Sequence, residues 1–316
     1  MAGQRSDGGH HQPVMAERVA ELLITDTKGA YLDLTAGGGG HLKVLSTHLD
    51  PSARVYGADV DPEAVERTAH ALTGIRQFRG VVRTAFADAD KAFRGLAEDR
   101  FDGIILDLGI SSYQLDDPER GISFRFDGPL DMRLDPSGEV TAGELVSRLE
   151  ELELRKVLKE YGEERQAAGI AKAIVRERQR GMILTTAQLR NIVLSVVKPP
   201  HQSKALARVF QALRIAVNRE LDQLSRALPV ALSLLKTRGR LAVIAYHSLE
   251  DRIVKRFFQE RSRGVCTCPP QLPQCVCGAR PDLALITRRA ERPTESEIVS
   301  NPRARSARLR VAERLA

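Results

Sequence analysis

Tyr31-Leu-Asp-Leu-Thr-Ala-Gly-Gly-Gly-Gly-His41 decides how this chain folds. Tyr31 to Leu34 is an apolar strand carrying Asp33, and it runs straight into four glycines. A helical pattern over 41–49 follows at once. Four glycines offer no side chains to a core, so their use is close approach of backbone to something else. A second strand, Arg54-Val-Tyr-Gly-Ala58, ends at Asp59. That puts a carboxylate roughly twenty residues beyond the glycines, where a nucleotide-binding sheet holds a ribose.

The dinucleotide pattern G-x-G-x-x-G fits poorly, because the glycines are consecutive. The looser D-x-x-x-G-x-G pattern of S-adenosylmethionine enzymes fits better, with Asp33, Gly37 and Gly39. The alternative is a glycine-rich turn in an ordinary α/β protein; Asp59 favours the cofactor, from whose two ribose hydroxyls it would accept hydrogen bonds.

Outward from this segment, strand and helix alternate: a helix over 16–23, strands at 31–34 and 54–58, a helix over 62–72, a short strand over 80–84 and a strand over 103–108. Such alternation predicts a doubly wound, Rossmann-like parallel α/β sheet. Ligands of these sheets sit at the carboxyl ends of strands, where Asp59 and Asp107 fall, with Asp33 a little earlier. Between about 116 and 198 the strand pattern stops. A long loop is followed by helices over 142–149, 150–160, 163–179 and 186–197, with capping boxes at Thr141/Glu144 and Thr185/Gln188. The expected organisation is a discontinuous sheet domain, 1–115 with 201–316, carrying an all-helical insert, 116–200. Ser203 is expected to cap the next helix, and Gly239 to end the one after it. Arg240–Tyr246 reads as a buried strand, and 284–288 with 304–310 as a closing antiparallel pair.

The 316 residues carry a net charge of +7 and 42% hydrophobic residues, enough for a real core and compatible with a polyanionic partner. No apolar run is long enough to span a bilayer. The N-terminal MAGQRSDGGHHQPV has no apolar signal core, so a cytoplasmic protein is expected. All four cysteines lie in Cys266-Thr-Cys-Pro-Pro-Gln-Leu-Pro-Gln-Cys-Val-Cys277. Cys266, Cys268, Cys275 and Cys277 could form a four-thiolate zinc knuckle, but single-residue spacing strains a shared tetrahedral site, and reduced thiols are the favoured reading.

Ile104-Ile-Leu-Asp-Leu-Gly-Ile-Ser-Ser-Tyr-Gln114 is the fourth strand and its loop. Its continuation, Leu-Asp-Asp-Pro-Glu-Arg-Gly-Ile-Ser-Phe124, and then Gly128-Pro-Leu-Asp-Met-Arg133 resemble the bacterial small-subunit ribosomal RNA N4-cytidine methyltransferases of the MraW type. So do Tyr161-Gly-Glu-Glu-Arg165, Phe210-Gln-Ala-Leu-Arg-Ile-Ala-Val-Asn218, Tyr246-His-Ser-Leu-Glu-Asp-Arg-Ile-Val-Lys255 and Asn301-Pro-Arg-Ala-Arg-Ser-Ala-Arg-Leu-Arg310. These blocks fall in order from His11 to the C-terminus. The resemblance implies a class I methyltransferase sheet and methyl transfer from S-adenosylmethionine to a cytidine N4 in small-subunit ribosomal RNA, within the assembled small subunit, with a homodimer left open. It implies cofactor contacts at Gly39, Gly40, His41, Asp59, Phe86, Asp107 and Gln114. The family usually carries a large or charged residue among the glycines, where this chain has Gly38.

Near the transfer point the candidates are Asp107, Ser111 and His247, although His247 also reads as a structural histidine at a strand end and Ser111 as a cap. Phe124 and Phe126 could stack a displaced base or pin their own loop, and Asp131 and Arg133 could line the same cleft. Arg303, Arg305, Arg308, Arg310 and Arg314 read as one phosphate-facing edge or as a solvated one. Two other classes stay open: a DNA or small-molecule amine methyltransferase, and a non-catalytic RNA-binding assembly factor.

Overall fold

The computed structural model describes residues 13–95, 100–264, 268 and 277–316. Seven strands form one sheet: β1 (Ala30–Asp33), β2 (Arg54–Asp59), β3 (Phe78–Arg83), β4 (Phe101–Asp107), β5 (Leu235–Ala245), β6 (Leu283–Leu285) and β7 (Arg308–Arg314). Their order is β3-β2-β1-β4-β5-β7-β6. The pairs from β3 through β5 are parallel, and β7 is antiparallel to both β5 and β6. This is a Rossmann-like α/β sheet closed by a reversed strand. Every residue of β1 and all of β4 but its last are buried, as strands covered on both faces must be. No helix among the described residues is long and apolar enough to cross a membrane.

The chain divides into two compact units, one running to Gly109 and resuming over Ser225–Ala316, the other Ile110–Leu224. In the sheet unit, the helix Ala16–Leu23 buries Val19, Ala20 and Leu23 beside Tyr31, Leu42, Ile105 and Ile244. Asp61 caps the helix Pro62–Ala71 by accepting from the Glu63 N–H, with Pro62 in the first turn.

The second unit is helical: Ala142–Arg148, Glu151–Glu160, Ala167–Arg178, Thr186–Val196 and Gln202–Asn218. Both expected capping boxes form, at Thr141/Glu144 and Thr185/Gln188. The core joins Leu154, Leu158, Ile170, Ile174, Leu189 and Val193 to Leu206, Val209, Phe210 and Leu213. Those last four explain why this unit extends to Leu224 and not to residue 200. The stripe on Gln202–Asn218 packs among the helices of this unit.

Three local expectations change. His201, not Ser203, occupies the N-cap position of Gln202–Asn218, and it makes no side-chain cap bond. Gly239 lies inside β5, because that strand starts five residues earlier than its apolar run suggests. The closing pair forms, but Ala304 sits in a 3-10 turn, Pro302–Ser306, and β7 begins at Arg308. Of the four cysteines, Cys266 and Cys275 lie outside the described residues, while Cys268 is half-buried and Cys277 exposed.

Phe210 is buried and meets Phe124 edge to face, with ring centroids 5.6 Å apart. Replacing it with alanine removes an aromatic ring from a closed core. We expect Phe210→Ala to cost about 3–5 kcal/mol in urea unfolding; a loss below about 1 kcal/mol would mean the helical core is not closed around this ring.

Candidate active site

β1, β2 and β4 are neighbours in the sheet, and each ends on an aspartate: Asp33, Asp59 and Asp107. Three carboxylates on adjacent parallel strand ends repel one another, so each must be compensated locally. Thr35 serves the Asp33 carboxylate and anchors the Asp107 backbone. Its N–H and hydroxyl both donate to Asp33 Oδ1, at 2.9 and 3.0 Å, and its Oγ accepts from the Asp107 N–H at 2.7 Å. Asp59 Oδ2 accepts from the Gly37 N–H at 2.8 Å and Oδ1 from the Asp61 N–H at 3.0 Å. The ribose candidate therefore also pins the glycine loop.

Gly39 has φ 77° and is the N-cap of the helix Gly40–His48. That left-handed value is open to glycine at little cost, and it turns the chain from the loop into the helix. His41, in the first turn, is buried, and its Nε2 lies 3.3 Å from Asp107 Oδ2. From just past the end of the neighbouring strand β5, the Tyr246 hydroxyl donates to Asp107 Oδ1 at 2.9 Å.

Electrostatics follow from this crowding. Burial pushes the Asp33 carboxyl up to about 6; the charge of His41 and the Thr35 N–H oppose that shift, and Asp107 adds to it. Burial also raises Asp59, against the N–H groups of Asp61 and Gly37. For His41 burial disfavours protonation, but the hydrogen bond and charge of Asp107, with Asp33 behind it, raise its pKa above the usual imidazole value. Asp33 Oδ2 is buried without a hydrogen-bond partner. An acceptor in that state, amid two further carboxylates, suits a cationic ligand bearing donors. S-adenosylmethionine fits on those grounds: it carries a sulfonium, an ammonium and two ribose hydroxyls. A Cβ at Gly37 would meet nothing nearer than the Thr35 carbonyl, at 3.7 Å, so that side of the loop is open.

The remaining sequence-derived candidates have local duties. Phe86 begins the 3-10 turn Phe86–Asp88 that follows β3 and is half-buried. Ser111 is the N-cap of Ser112–Asp116, forming a capping box with the buried Gln114. His247 caps Ser248–Arg263, its Nδ1 accepting from the Glu250 N–H at 3.4 Å. Its Nε2 lies 3.2 Å from Glu250 Oε1 at an angle that makes no hydrogen bond.

Phe124 packs on Phe210, whereas Phe126 is exposed. Asp131 and Arg133 pair with each other at 2.7 Å. The arginine edge breaks up: Arg308 and Arg310 are both bound to Asp251, at 2.9 and 2.7 Å, and Arg314 donates to the carbonyls of Leu232, Ser233 and Leu235. Arg303 and Arg305 remain exposed on the 3-10 turn.

Sequence reasoning passed over Thr35 and Tyr246 as individual residues. Thr35 follows the acid-bearing strand by two positions, and Tyr246 follows β5 by one. A polar residue just past a buried strand, beside a neighbour ending on an acid, is the signal that was present.

Comparison with known proteins gives a consistent family. The model of the MraW methylase family matches residues 8–315. A protein of Heliobacterium modesticaldum named ribosomal RNA small subunit methyltransferase H is 43% identical over 310 residues, covering 97% of this chain and 99% of that one. Its namesake in Syntrophotalea carbinolica is 45% identical, covering 96% and 98%. Among solved structures, a ribosomal RNA methylase from Streptococcus thermophilus aligns with 13% identity and a TM-score of 0.42, over 98% of this chain and 100% of that one.

The buried Asp33 gives a pH signature. Its folded value of about 6 lies above the ordinary 3.8. Below pH 3.8 the group is neutral in both folded and unfolded chains. Between 3.8 and 6 the unfolded chain ionises first, so stability falls as pH rises, by about 3 kcal/mol in all. Asparagine keeps the acceptor for Thr35 and carries no charge. Asp33→Asn is therefore expected to stabilise the protein at pH 8 relative to pH 4 by about that amount against wild type, read by urea unfolding. Equal effects at both pH values would refute the buried-charge assignment.

Proposed function

The chain belongs to the MraW methylase family, and from that premise we propose that it transfers a methyl group from S-adenosylmethionine to the N4 amine of a cytidine in small-subunit ribosomal RNA. The observation that carries this reading is the set of three aspartates at the ends of β1, β2 and β4, one with an unpartnered buried oxygen, beside a glycine loop. When bound, the cofactor supplies an electrophilic methyl on a sulfonium. Gly39, Gly40 and His41 would lie along it, Asp59 would accept from its ribose hydroxyls, and Phe86 would lie beside its adenine. Gln114 is the remaining contact that the family resemblance implies.

The choice of an amine rests on Asp107. An exocyclic cytidine amine is a weak nucleophile, because its lone pair is delocalised into the ring. A carboxylate accepting its N–H groups localises that pair and aims it. A strong base is unnecessary, since the nitrogen becomes acidic only after methylation. Ribosomal RNA as substrate draws on the names of the relatives, on the net charge of +7 and on the exposed Arg303 and Arg305. We assign the helical unit to RNA recognition, and the target base would have to leave its stack to reach Asp107.

The direct test incubates the protein and methyl-labelled cofactor with small ribosomal subunits, free ribosomal RNA and DNA, and digests each to nucleosides. Label co-eluting with an N4-methylated cytidine from the ribosomal substrate is expected. Tight RNA binding without transfer would instead favour a non-catalytic assembly factor, and label in DNA alone a different methyltransferase.

Two variants test the assignments. Asp59→Ala is expected to weaken cofactor binding about 10- to 100-fold, the worth of a charged hydrogen bond, with the far-UV spectrum kept. Unchanged affinity by calorimetry would withdraw the ribose role. Replacing Arg303 and Arg305 together with alanine should weaken RNA binding and reduce its log–log salt slope by roughly 1.5; an unaltered slope would return both to a solvated surface.

A further inference from the structure

Asp107 is held from both sides. Tyr246 Oη donates to Oδ1 at 2.9 Å, His41 Nε2 lies 3.3 Å from Oδ2, and the Asp107 N–H is fixed on Thr35 Oγ. An ionised carboxylate accepts one donor on each oxygen and still has lone pairs to offer. Tyr246 is itself held at two points. Its N–H donates to Glu250 Oε2 at 2.9 Å, within the capping box of Ser248–Arg263. Its ring lies against Gly109, where a Cβ would stand 3.4 Å from Tyr246 Cδ2 and where φ is 97°. A side chain there would be strained by the backbone, while its Cβ would only touch the ring.

We infer that Tyr246 is a positioning residue of methyl transfer: its hydroxyl sets the plane of the Asp107 carboxylate and thereby chooses which lone pairs face the amine. This rests on Asp107 being the amine's acceptor, as proposed above. In the reaction the nitrogen lone pair forms the new N–C bond while the C–S pair returns to sulfur. The nitrogen, now positive, releases one proton and keeps the N–H electron pair. A carboxylate already bonded to that N–H is the proton's first acceptor, and a carboxylate turned out of plane is not. The phenol stays a donor throughout, because burial, then the charge and hydrogen bond of Asp107, raise its pKa well above the ordinary phenol value. The charged groups around the pair are Asp33 and His41 on the Asp107 side, with Glu250 and Glu297 acting on Tyr246.

The test uses the full chain with Tyr246→Phe, Asp107→Asn and the double variant. Tyr246→Phe keeps the ring and removes only the donor. We expect kcat to fall about 10-fold or more, with KM for the cofactor within about threefold of wild type. In the Asp107→Asn background the same change should add little. Unchanged kcat, a loss that falls on KM instead of kcat, or a full additive loss would each overturn the inference. A second readout needs no RNA: the carboxyl 13C resonance of Asp107, identified by its absence in Asp107→Asn, should change its chemical shift in Tyr246→Phe at constant pH, because the hydrogen bond from the phenol is lost. If the wild type transfers no methyl to cytidine, the functional reading fails, and an unmoved resonance still overturns the role of Tyr246.

Discussion

Three carboxylates must be kept on adjacent strand ends, and much of the sheet unit's polar architecture answers to that constraint. Unscreened charges a few ångströms apart would separate the strands or take up protons. Here the compensation is short-range. Backbone N–H groups of Gly37 and Asp61 serve Asp59, Thr35 serves Asp33 and receives Asp107, and His41 and Tyr246 flank Asp107. The balance is incomplete at Asp33, where one buried oxygen has no hydrogen-bond partner. A site left short of positive charge and donors is matched to a ligand that brings both.

The alternating pattern of the first hundred residues made the sheet legible, because parallel strands with buried faces leave continuous apolar runs ending at polar residues. The glycine loop and the spacing to Asp59 marked the side proposed here for the cofactor. What escaped was pairing. Arg308 and Arg310 looked like a phosphate edge, yet both are bound to Asp251, fifty-seven and fifty-nine residues earlier. His247 and Ser111 read both as reaction-site groups and as local structural residues, and each caps a helix. Tyr246 looked like the end of a buried strand, while its hydroxyl reaches Asp107, 139 residues away in sequence. One-dimensional spacing finds elements, but it does not say which polar groups meet across neighbouring strands.

The helical unit carries a similar lesson about boundaries. Its loop and capping boxes were readable because they are local chemistry. The end of the unit was not, since the apolar stripe on Gln202–Asn218 would serve a sheet or a helical core equally well. Phe210, Leu213 and their neighbours resolve that by packing among helices. The chain returns to the sheet only within the helix Glu220–Leu234, ahead of β5.

The central claim is that the acidic strand ends receive S-adenosylmethionine. A crystal structure of the protein grown with that molecule tests it most directly. The account requires the adenosine ribose hydroxyls within hydrogen-bonding distance of Asp59, and the cationic end beside the Asp33–Thr35–Asp107 cluster. Density for the molecule elsewhere on the chain, or none at saturating concentration, would contradict it.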